Sequence, residues 1–346
     1  MEKKLFIGID FSKKTFDVSV MHSDNLQAAD YQQFENCKQG CIAMLKWIKT
    51  LTKIPEGIWM FCGEHTGLYS LCLSEFLLKK GLFIWLENPL QIKQSGGIKR
   101  EKNDKADSRE IALYAYRFQD KARRYQLPDK ALKSLELLLS FRERLVSNKQ
   151  ALLVSASELR RVMQRNSTAR FIYEQSCKDA ERLNKEIKET ERRMLEEISK
   201  QDLLHQNFEL VSSIKGVALI NTVAILVVTE NFTRFENSRQ FACYSGMAPF
   251  GKQSGTSINS KPHVSSFANK KIKALLTQAA KSAIMHDANI RQYYNRKLGE
   301  GKNKRLIINN VRNKLIHRIF AIVANKQFYQ MDYCNLMEKE KKIETV

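Results

Sequence analysis

The sequence lacks the cysteine patterns of a disulfide-stapled or zinc-binding protein. Its seven cysteines, spread over 346 residues, form no CxxC pair and no Cys/His cluster with zinc-ligand spacing. Cys37 and Cys41, four residues apart on a predicted helix, are interpreted as small apolar residues. An odd, scattered set of cysteines is typical of a reducing cytoplasm.

Long apolar runs are also missing. The longest, Val223 to Val228, is far shorter than the roughly 20 residues that cross a bilayer, and no signal-peptide pattern is present. We therefore expect a cytoplasmic protein with no membrane partner.

Acidic residues are scarce in one part of the chain only. The whole sequence has 58 Lys and Arg against 37 Asp and Glu, a net charge of +21, which predicts a nucleic-acid partner. Residues 1–107 hold 15 basic and 13 acidic residues, whereas residues 251–330 hold 16 basic and 2 acidic ones. The first segment can therefore host a carboxylate site, and the last predicts a phosphate-binding surface.

The chain begins with a predicted buried strand that carries Asp10. Leu5, Phe6, Ile7 and Ile9 form a short apolar run, and a buried carboxylate beside them is costly unless it is paired or bound to a metal. A second alternating strand over 13–20 follows a tight link, which is how RNase H-like nucleases begin. A lone Asp here also fits a cap or turn, so the interpretation depends on further carboxylates.

The following elements alternate as in an α/β domain. A strand over 28–34, a helix around 41–48, a strand over 57–62, a helix over 68–80 and a strand over 82–86 give the order β-β-β-α-β-α-β. Glu64 lies just past the fourth strand. This order predicts an RNase H-like, RuvC-like α/β domain over residues 1–127.

Two more carboxylates stand at the start of a predicted helix. Asp104 and Asp107 are three residues apart and share a helix face. They could simply complement the helix dipole. Together with Asp10 and Glu64, however, they favour a metal site, because two divalent ions about 3.5–4 Å apart need several anionic ligands.

Residues 128–205 predict two long helices. Leucines recur every seven residues at 138, 145, 152 and 159, residues 166–168 break the pattern, and apolar residues with helical spacing resume at Ala180. The pattern fits an antiparallel coiled-coil arm, a dimer zipper or a plain helical hairpin. All three interpretations remain open at this point.

Residues 206–330 predict a mainly α-helical domain, followed by a tail over 331–346. Residues 213–222 resemble a helix-hairpin-helix segment, whose backbone amides bind phosphate. Residues 241–257 look like a Gly/Ser-rich loop, and 268–285 like an amphipathic helix. Residues 291–318 hold nine basic residues and one acid, with Tyr293 and Tyr294 among them, which fits backbone contact and base stacking. The candidate nucleic-acid-binding residues are Lys252, Lys270, Lys271, Lys273, Arg291, Arg296, Lys297, Lys302, Lys304, Arg305, Arg312 and Lys314.

Three motifs together resemble a known family. They are the residues around Asp10, the segment Gly63-Glu64-His65-Thr66-Gly67 and the segment Asn103-Asp104-Lys105-Ala106-Asp107. In this order they resemble the DEDD transposases of the IS110 insertion-sequence family, relatives of the Piv and MooV DNA invertases. Residues 245–255 resemble that family's C-terminal transposase domain.

The resemblance implies a prokaryotic, nucleoid-associated DNA recombinase. Asp10, Glu64, Asp104 and Asp107 would bind Mg²⁺ or Mn²⁺, and Ser254 would attack the phosphodiester. The implied partners are donor and target DNA, a structured non-coding bridge RNA, and further copies of the chain, as a dimer and as a tetramer on DNA. The same residues leave two other functions open: a hydrolytic RNase H-like nuclease or Holliday-junction resolvase, and a non-catalytic nucleic-acid-binding protein derived from a transposase.

Overall fold

The computed structural model describes residues 4–96, 103–254, 258–264 and 268–330. The chain divides into two compact units, Met1–Leu127 and Pro128–Val346. In the part of the chain that is described, no helix is long and apolar enough to cross a membrane.

The first unit is built on a five-stranded mixed sheet. Its strands are β1 (Leu5–Phe11), β2 (Thr15–His22), β3 (Asn25–Glu35), β4 (Trp59–Glu64) and β5 (Ile84–Glu87), in the order β3-β2-β1-β4-β5. Strand β1 pairs antiparallel with β2 and parallel with β4. The helices are α1 (Lys38–Leu51), α2 (Leu68–Lys79), α3 (Pro89–Ser95) and α4 (Asp104–Arg117). This α/β arrangement is consistent with the predicted RNase H-like fold.

The two faces of the sheet have different roles. Because side chains alternate along a strand, Leu5, Ile7 and Ile9 point to one face, where they form a core with residues of α1 and α2. Phe6 points to the other face, into a second core that includes Ile111 of α4. The second face also carries Gly8 and Asp10, so α4 covers the face on which the candidate catalytic residues lie.

Gly8 determines how closely α4 approaches the sheet. A Cβ atom at this position would lie 2.1 Å from the backbone oxygen of Ser108 and 2.3 Å from the backbone nitrogen of Ala112. The absence of a side chain therefore lets the α4 backbone rest directly on β1. Beside this contact, the hydroxyls of Ser19 and Ser108 form a buried hydrogen bond of 2.8 Å that joins α4 to β2.

The second unit opens with two long helices, as predicted. Helices α5 (Lys130–Leu159) and α6 (Ser167–Ser199) run antiparallel, with Arg142 paired to Glu191. The side chain of Asn166 caps α6 by accepting from the backbone N–H of Ala169. Leu145 of the predicted leucine stripe is buried against Leu183 of α6. The stripe therefore contributes to packing within one chain, whereas a zipper between chains stays a prediction.

The remainder of the second unit is mainly helical, as predicted. Its helices are α7 (Asp202–Ser212), α8 (Leu219–Val228), α9 (Ser238–Tyr244), α10 (Lys270–His286), α11 (Ala288–Gly299) and α12 (Lys304–Asn325). The prediction of an irregular loop before α10 was wrong in part, because β6 (Pro249–Ser254) and β7 (Ile258–Val264) form an antiparallel hairpin there. The two strands pair with each other, although their sequences show no alternation of apolar and polar residues.

The predicted helix-hairpin-helix segment corresponds to α7, a tight turn and α8. Gly216 in the turn has a φ of +94°, and a Cβ there would lie 2.5 Å from the backbone nitrogen of Ala283 in α10. Both features require glycine. The turn packs on the small residues of α10, so packing alone accounts for this glycine, and its contact with phosphate stays a prediction.

We expect Gly8→Ala to displace α4 and to destabilise the first unit by about 3 kcal/mol, since overpacking against backbone atoms cannot be relieved by a side-chain rotation. Chemical denaturation measures the change. Gly57→Ala is the matched control, because no atom lies within 4 Å of a Cβ at that site. Equal stability of the two variants would contradict the close approach of α4.

Candidate active site and nucleic-acid surface

The candidate site begins with a row of acids across the sheet. Asp10 lies opposite Asp17 in the β1–β2 pair, and Glu64 lies opposite Glu87 in the β4–β5 pair. The parallel register of β1 and β4 brings Asp10 and Glu64 to the same level at the ends of adjacent strands. Neighbours in register share a face, so the carboxylates of Asp10, Asp17, Glu64 and Glu87 form one row on the face of the sheet that α4 covers. This row, near the carboxyl ends of β1, β4 and β5, is called the acidic edge below.

Helix α4 adds the other two predicted carboxylates. Asp104 and Asp107 occupy its first turn, and the Asn103 side chain caps the helix by accepting from the backbone N–H of Ala106 at 2.7 Å. The contact of Gly8 with α4 fixes this helix on the same face of the sheet as Asp10. The cap and the close approach thus direct the first turn of α4 towards the acidic edge.

The pKa of Asp10 shows that the other acids lie close to it. Burial, followed in order by the charges of Glu64, Asp107, Asp104 and Asp17, raises the pKa of the partly buried Asp10 carboxyl to about 6. Three of these four are the carboxylates predicted together with Asp10. A perturbed carboxyl among like charges is typical of functional sites.

The donor set suits a divalent cation in type and charge, because Mg²⁺ prefers carboxylate oxygens. Within residues 4–96 and 103–254 and the other described ranges, however, no three His, Cys, Asp or Glu side chains are grouped closely enough to hold a metal ion. Asp104 is exposed at the helix end and Glu64 is partly buried. Convergence of the four predicted ligands on one ion therefore remains a prediction that requires side-chain movement.

Sequence reasoning missed Asp17 and Glu87. Asp17 is only 2% exposed and accepts hydrogen bonds from the Tyr31 hydroxyl at 2.5 Å and from Gln33. The bond to Asp17 raises the pKa of Tyr31 to about 12. Glu87 accepts from the backbone N–H of Asn88 at 2.7 Å. A charged residue inside an otherwise alternating apolar strand was the available signal for Asp17.

The predicted nucleophile lies in the second unit. Ser254 is the last residue of β6 and pairs with Ile258 of β7, next to the hairpin turn. Ser245, in the Ser-Gly pair nearby, is fully buried and donates to the carbonyl of Phe241 at 2.7 Å. Ser245 therefore has a packing role, whereas the end of the hairpin holds the serine singled out by the sequence.

The predicted nucleic-acid-binding residues fall on three helices and their connections. Helix α10 carries Lys270, Lys271 and Lys273, α11 carries Arg291, Arg296 and Lys297, and α12 carries Lys304, Arg305, Arg312 and Lys314. Most of them are exposed, although Lys271 is paired with Glu143 at 2.7 Å. Lys314 lies 4.6 Å from the centre of the Tyr293 ring. Lys252 belongs to β6, and contact of any of these residues with nucleic acid stays a prediction.

We expect Asp10→Asn to raise the melting temperature at about pH 8 in the absence of added metal, and to change it little at about pH 4. The folded protein keeps a proton on Asp10 up to about pH 6. The wild type therefore loses stability as the pH rises from the ordinary carboxyl pKa of 3.8 to about 6, and the Asp10→Asn variant does not. Asp120→Asn, an exposed acid in the turn after α4, is the control. A variant that melts at or below the wild-type temperature near pH 8 would contradict this electrostatic description.

We expect the triple change of Lys302, Lys304 and Arg305 to alanine to weaken DNA binding and to flatten its salt dependence. All three side chains are exposed at or before the start of α12, and each lost phosphate contact lowers the log–log slope by about one unit. Fluorescence anisotropy over a salt series measures both quantities. An unchanged slope would show that this end of α12 does not contact nucleic acid.

Comparison with known proteins assigns the chain to a family. A model of the DEDD transposases of IS110 elements, described as "Transposase", matches residues 7–164. A second model, described as "Transposase IS116/IS110/IS902 family", matches residues 208–295. All four predicted metal ligands lie in the first range, and Ser254 lies in the second.

Individual relatives agree with the family models. The pilin gene-inverting proteins of Moraxella lacunata and Moraxella bovis are 26% and 25% identical over 330 residues, 94% of this chain and 97% of each relative. The insertion element IS110 uncharacterized 43.6 kDa protein of Streptomyces coelicolor is 28% identical over 126 residues, 36% of this chain and 31% of that protein. The family implies a divalent metal and DNA as a partner. The chain therefore belongs to the IS110 family and is a DEDD transposase or DNA invertase.

Proposed function

We propose that this transposase exchanges DNA strands through a covalent protein–DNA linkage, with Ser254 as the nucleophile and Mg²⁺ held by Asp10, Glu64, Asp104 and Asp107. The observation that carries the metal assignment is the raised pKa of Asp10, caused by burial and by those same carboxylates. A group of partly buried carboxylates is costly unless a cation compensates it. Mn²⁺, which also accepts oxygen ligands, is the other candidate ion.

The proposed division of labour follows from the chemistry of serine. A serine hydroxyl is a weak nucleophile unless a base or a metal activates it. A divalent ion held by the carboxylates would supply Lewis-acid charge, which would stabilise negative charge on the phosphate and lower the pKa of the hydroxyl. Ser254 then forms an Oγ–phosphorus bond while one phosphorus–oxygen bond to deoxyribose breaks. The serine proton is lost, and the released DNA oxygen gains one.

The position of Ser254 supports this role. It is the last residue of β6 and pairs with Ile258, the first residue of β7. Reactive side chains are commonly carried by connecting segments that a rigid scaffold positions, and Ser254 lies where the strand pair meets such a segment. The hairpin lies within residues 208–295, which match the C-terminal family model.

DNA as a partner follows from charge and from the relatives, whereas the guide RNA and the oligomers are proposed from the resemblance of the sequence motifs. Residues 251–330 hold 16 basic and 2 acidic residues, which supplies many phosphate contacts. The Moraxella relatives are named as proteins that invert a gene. We infer that this chain inverts or moves a DNA element, guided by a structured non-coding RNA that pairs with donor and target DNA. It assembles as a dimer, and as a tetramer on DNA.

We expect Ser254→Ala to abolish strand exchange and the covalent protein–DNA adduct while DNA binding stays within about twofold, because the change removes one hydroxyl and no charge. The substrate is DNA flanking the gene, supplied with Mg²⁺ and with the RNA that co-purifies with the protein and is identified by sequencing. Denaturing gels detect the adduct, and peptide mapping locates it.

Ser257→Ala is the control for a neighbouring hydroxyl, and Asp10→Ala is expected to lose the adduct as Ser254→Ala does. Free cleaved ends that form equally in Ser254→Ala would instead identify a hydrolytic nuclease. An adduct lost only in Ser257→Ala would move the nucleophile to that residue. Full recombination after removal of all RNA would contradict guidance by RNA.

A further inference from the structure

Lys273 of α10 and Arg312 of α12 form a partly buried pair of cations in the second unit. Thr277 connects them: its hydroxyl donates to the Lys273 carbonyl at 2.7 Å and accepts from Nη1 of Arg312 at 3.0 Å. Lys273 and Thr277 are one helical turn apart, so they share a face of α10. The two cationic side chains therefore lie on adjoining faces of α10 and α12.

No acid neutralises this pair among the residues that the structure describes. Arg312 donates only to neutral oxygens, those of Thr277 and of Asn309 at 3.0 Å, and its Nε is buried without a partner in the described chain. In the same described part, Lys273 takes part in no ion pair. Buried charges are normally paired. The positive charges of Lys273 and Arg312, and the Nε donor of Arg312, therefore remain available to an anionic ligand.

Another arginine of α12 shows how the protein treats a structural cation. Arg318 donates to the fully buried Asp287 at 3.1 Å and to the Tyr329 hydroxyl at 2.8 Å. Its charge is thus neutralised within the fold. Arg312, six residues earlier, has the same side chain and partial burial but no such acid among the described residues.

The electrostatics of the pair favour an anionic ligand. Burial lowers the pKa of the Arg312 guanidinium, and burial together with the charge of Arg312 lowers the pKa of Lys273. Both cations are therefore held at a cost in free energy. An anion placed between them would remove that cost.

The pair adjoins the segment that leads into the serine hairpin. Asn309, which accepts from Arg312, donates from Nδ2 to the carbonyl of Met247 at 3.1 Å. Met247 is two residues before β6, the strand that ends at Ser254. Hydrogen bonds thus link the cation pair to the base of the proposed nucleophilic hairpin.

We propose that Lys273 and Arg312 form a subsite for one phosphodiester group of the bound DNA strand, with Thr277 and Asn309 orienting the guanidinium. Arginine suits a phosphate because its planar fork offers several donors at once, whereas lysine supplies a point charge. The subsite deepens the proposed function by assigning a phosphate contact beside the serine hairpin, yet binding there requires no chemistry at Ser254.

The first test compares two lysines of α10. Lys281 is exposed, lies one turn beyond Thr277 and belongs to none of the groups assigned to catalysis or binding. In a Ser254→Ala background, Lys273→Gln is expected to weaken duplex DNA binding roughly tenfold more than Lys281→Gln and to lower the salt slope by about one unit. Both changes remove one charge, so equal effects of the two would overturn the subsite.

The second test measures occupancy without any substitution at the pair. Acylation of lysine amines, read by mass spectrometry in Ser254→Ala protein, is expected to slow at least fivefold at Lys273 when duplex DNA is added, and to change little at Lys281. Protection of neither lysine, or protection of Lys273 by RNA duplex alone, would overturn the assignment to DNA.

Arg312→Lys tests the fork geometry. The charge is kept, so we expect lower affinity with an unchanged salt slope and a melting temperature close to that of Ser254→Ala. Should this variant fail to fold, the two lysine tests still decide the question.

The outcomes also separate this proposal from the nucleophile assignment. Protection of Lys273 in Ser254→Ala protein, with no adduct at Ser254 in the wild type, would keep the subsite and reject the serine. An adduct formed at the wild-type rate by Lys273→Gln, with Lys273 unprotected by DNA in Ser254→Ala protein, would keep the serine and reject the subsite.

Discussion

The close approach of α4 to β1 at Gly8 is the constraint on which the first unit depends. A Cβ there would lie 2.1 Å from the Ser108 carbonyl oxygen, so helix and strand are in backbone contact. The buried bond between Ser19 and Ser108 holds the same helix to β2. Since Asp104 and Asp107 occupy the first turn of α4, this contact brings them to the edge where the sheet presents its own carboxylates.

The acidic edge stores unfavourable electrostatic energy that the rest of the fold must outweigh. Burial, together with the like charges of Glu64, Asp107, Asp104 and Asp17, raises the pKa of Asp10 to about 6. Two of the neighbouring acids are bound within the protein, Asp17 by Tyr31 and Gln33, and Glu87 by the Asn88 backbone. These hydrogen bonds hold the two carboxylates in place within the row that includes Asp10 and Glu64.

The second unit treats its positive charges in two ways. Arg318 is neutralised by a buried aspartate and stabilises the junction of α12 with Tyr329, whose backbone N–H also donates to Ser213 at 3.0 Å. Arg312 and Lys273 remain unneutralised by any acid of the described residues, beside the segment that enters β6. A cation paired with an acid is neutralised within the fold, and one without such a pair stays available to an anionic ligand.

Local patterns in the sequence were enough to predict most elements. Short apolar runs predicted the strands that end at Asp10 and near Glu64, and helical spacing predicted α5 and α6, with a break at residues 166–168. The structure adds that Asn166 caps α6. The β6–β7 hairpin was not predicted, because its two strands show no alternation of apolar and polar residues. It is formed by pairing between the two strands. The four predicted carboxylates could be named from their positions at element ends, but their distances could not.

The sequence by itself determined the β-β-β-α-β-α-β order of the first unit, the separation of acidic from basic segments and the motifs that define the family. Each of these depends on residues close together in the chain, where spacing and composition carry the information. Only the tertiary structure decided that Asp17 and Glu87 join the acidic row, that Gly216 is a packing residue, and that Arg318 has an acid that Arg312 lacks within the described part of the chain. Strand register, close backbone approach and burial join residues far apart in the chain, so no local pattern reports them.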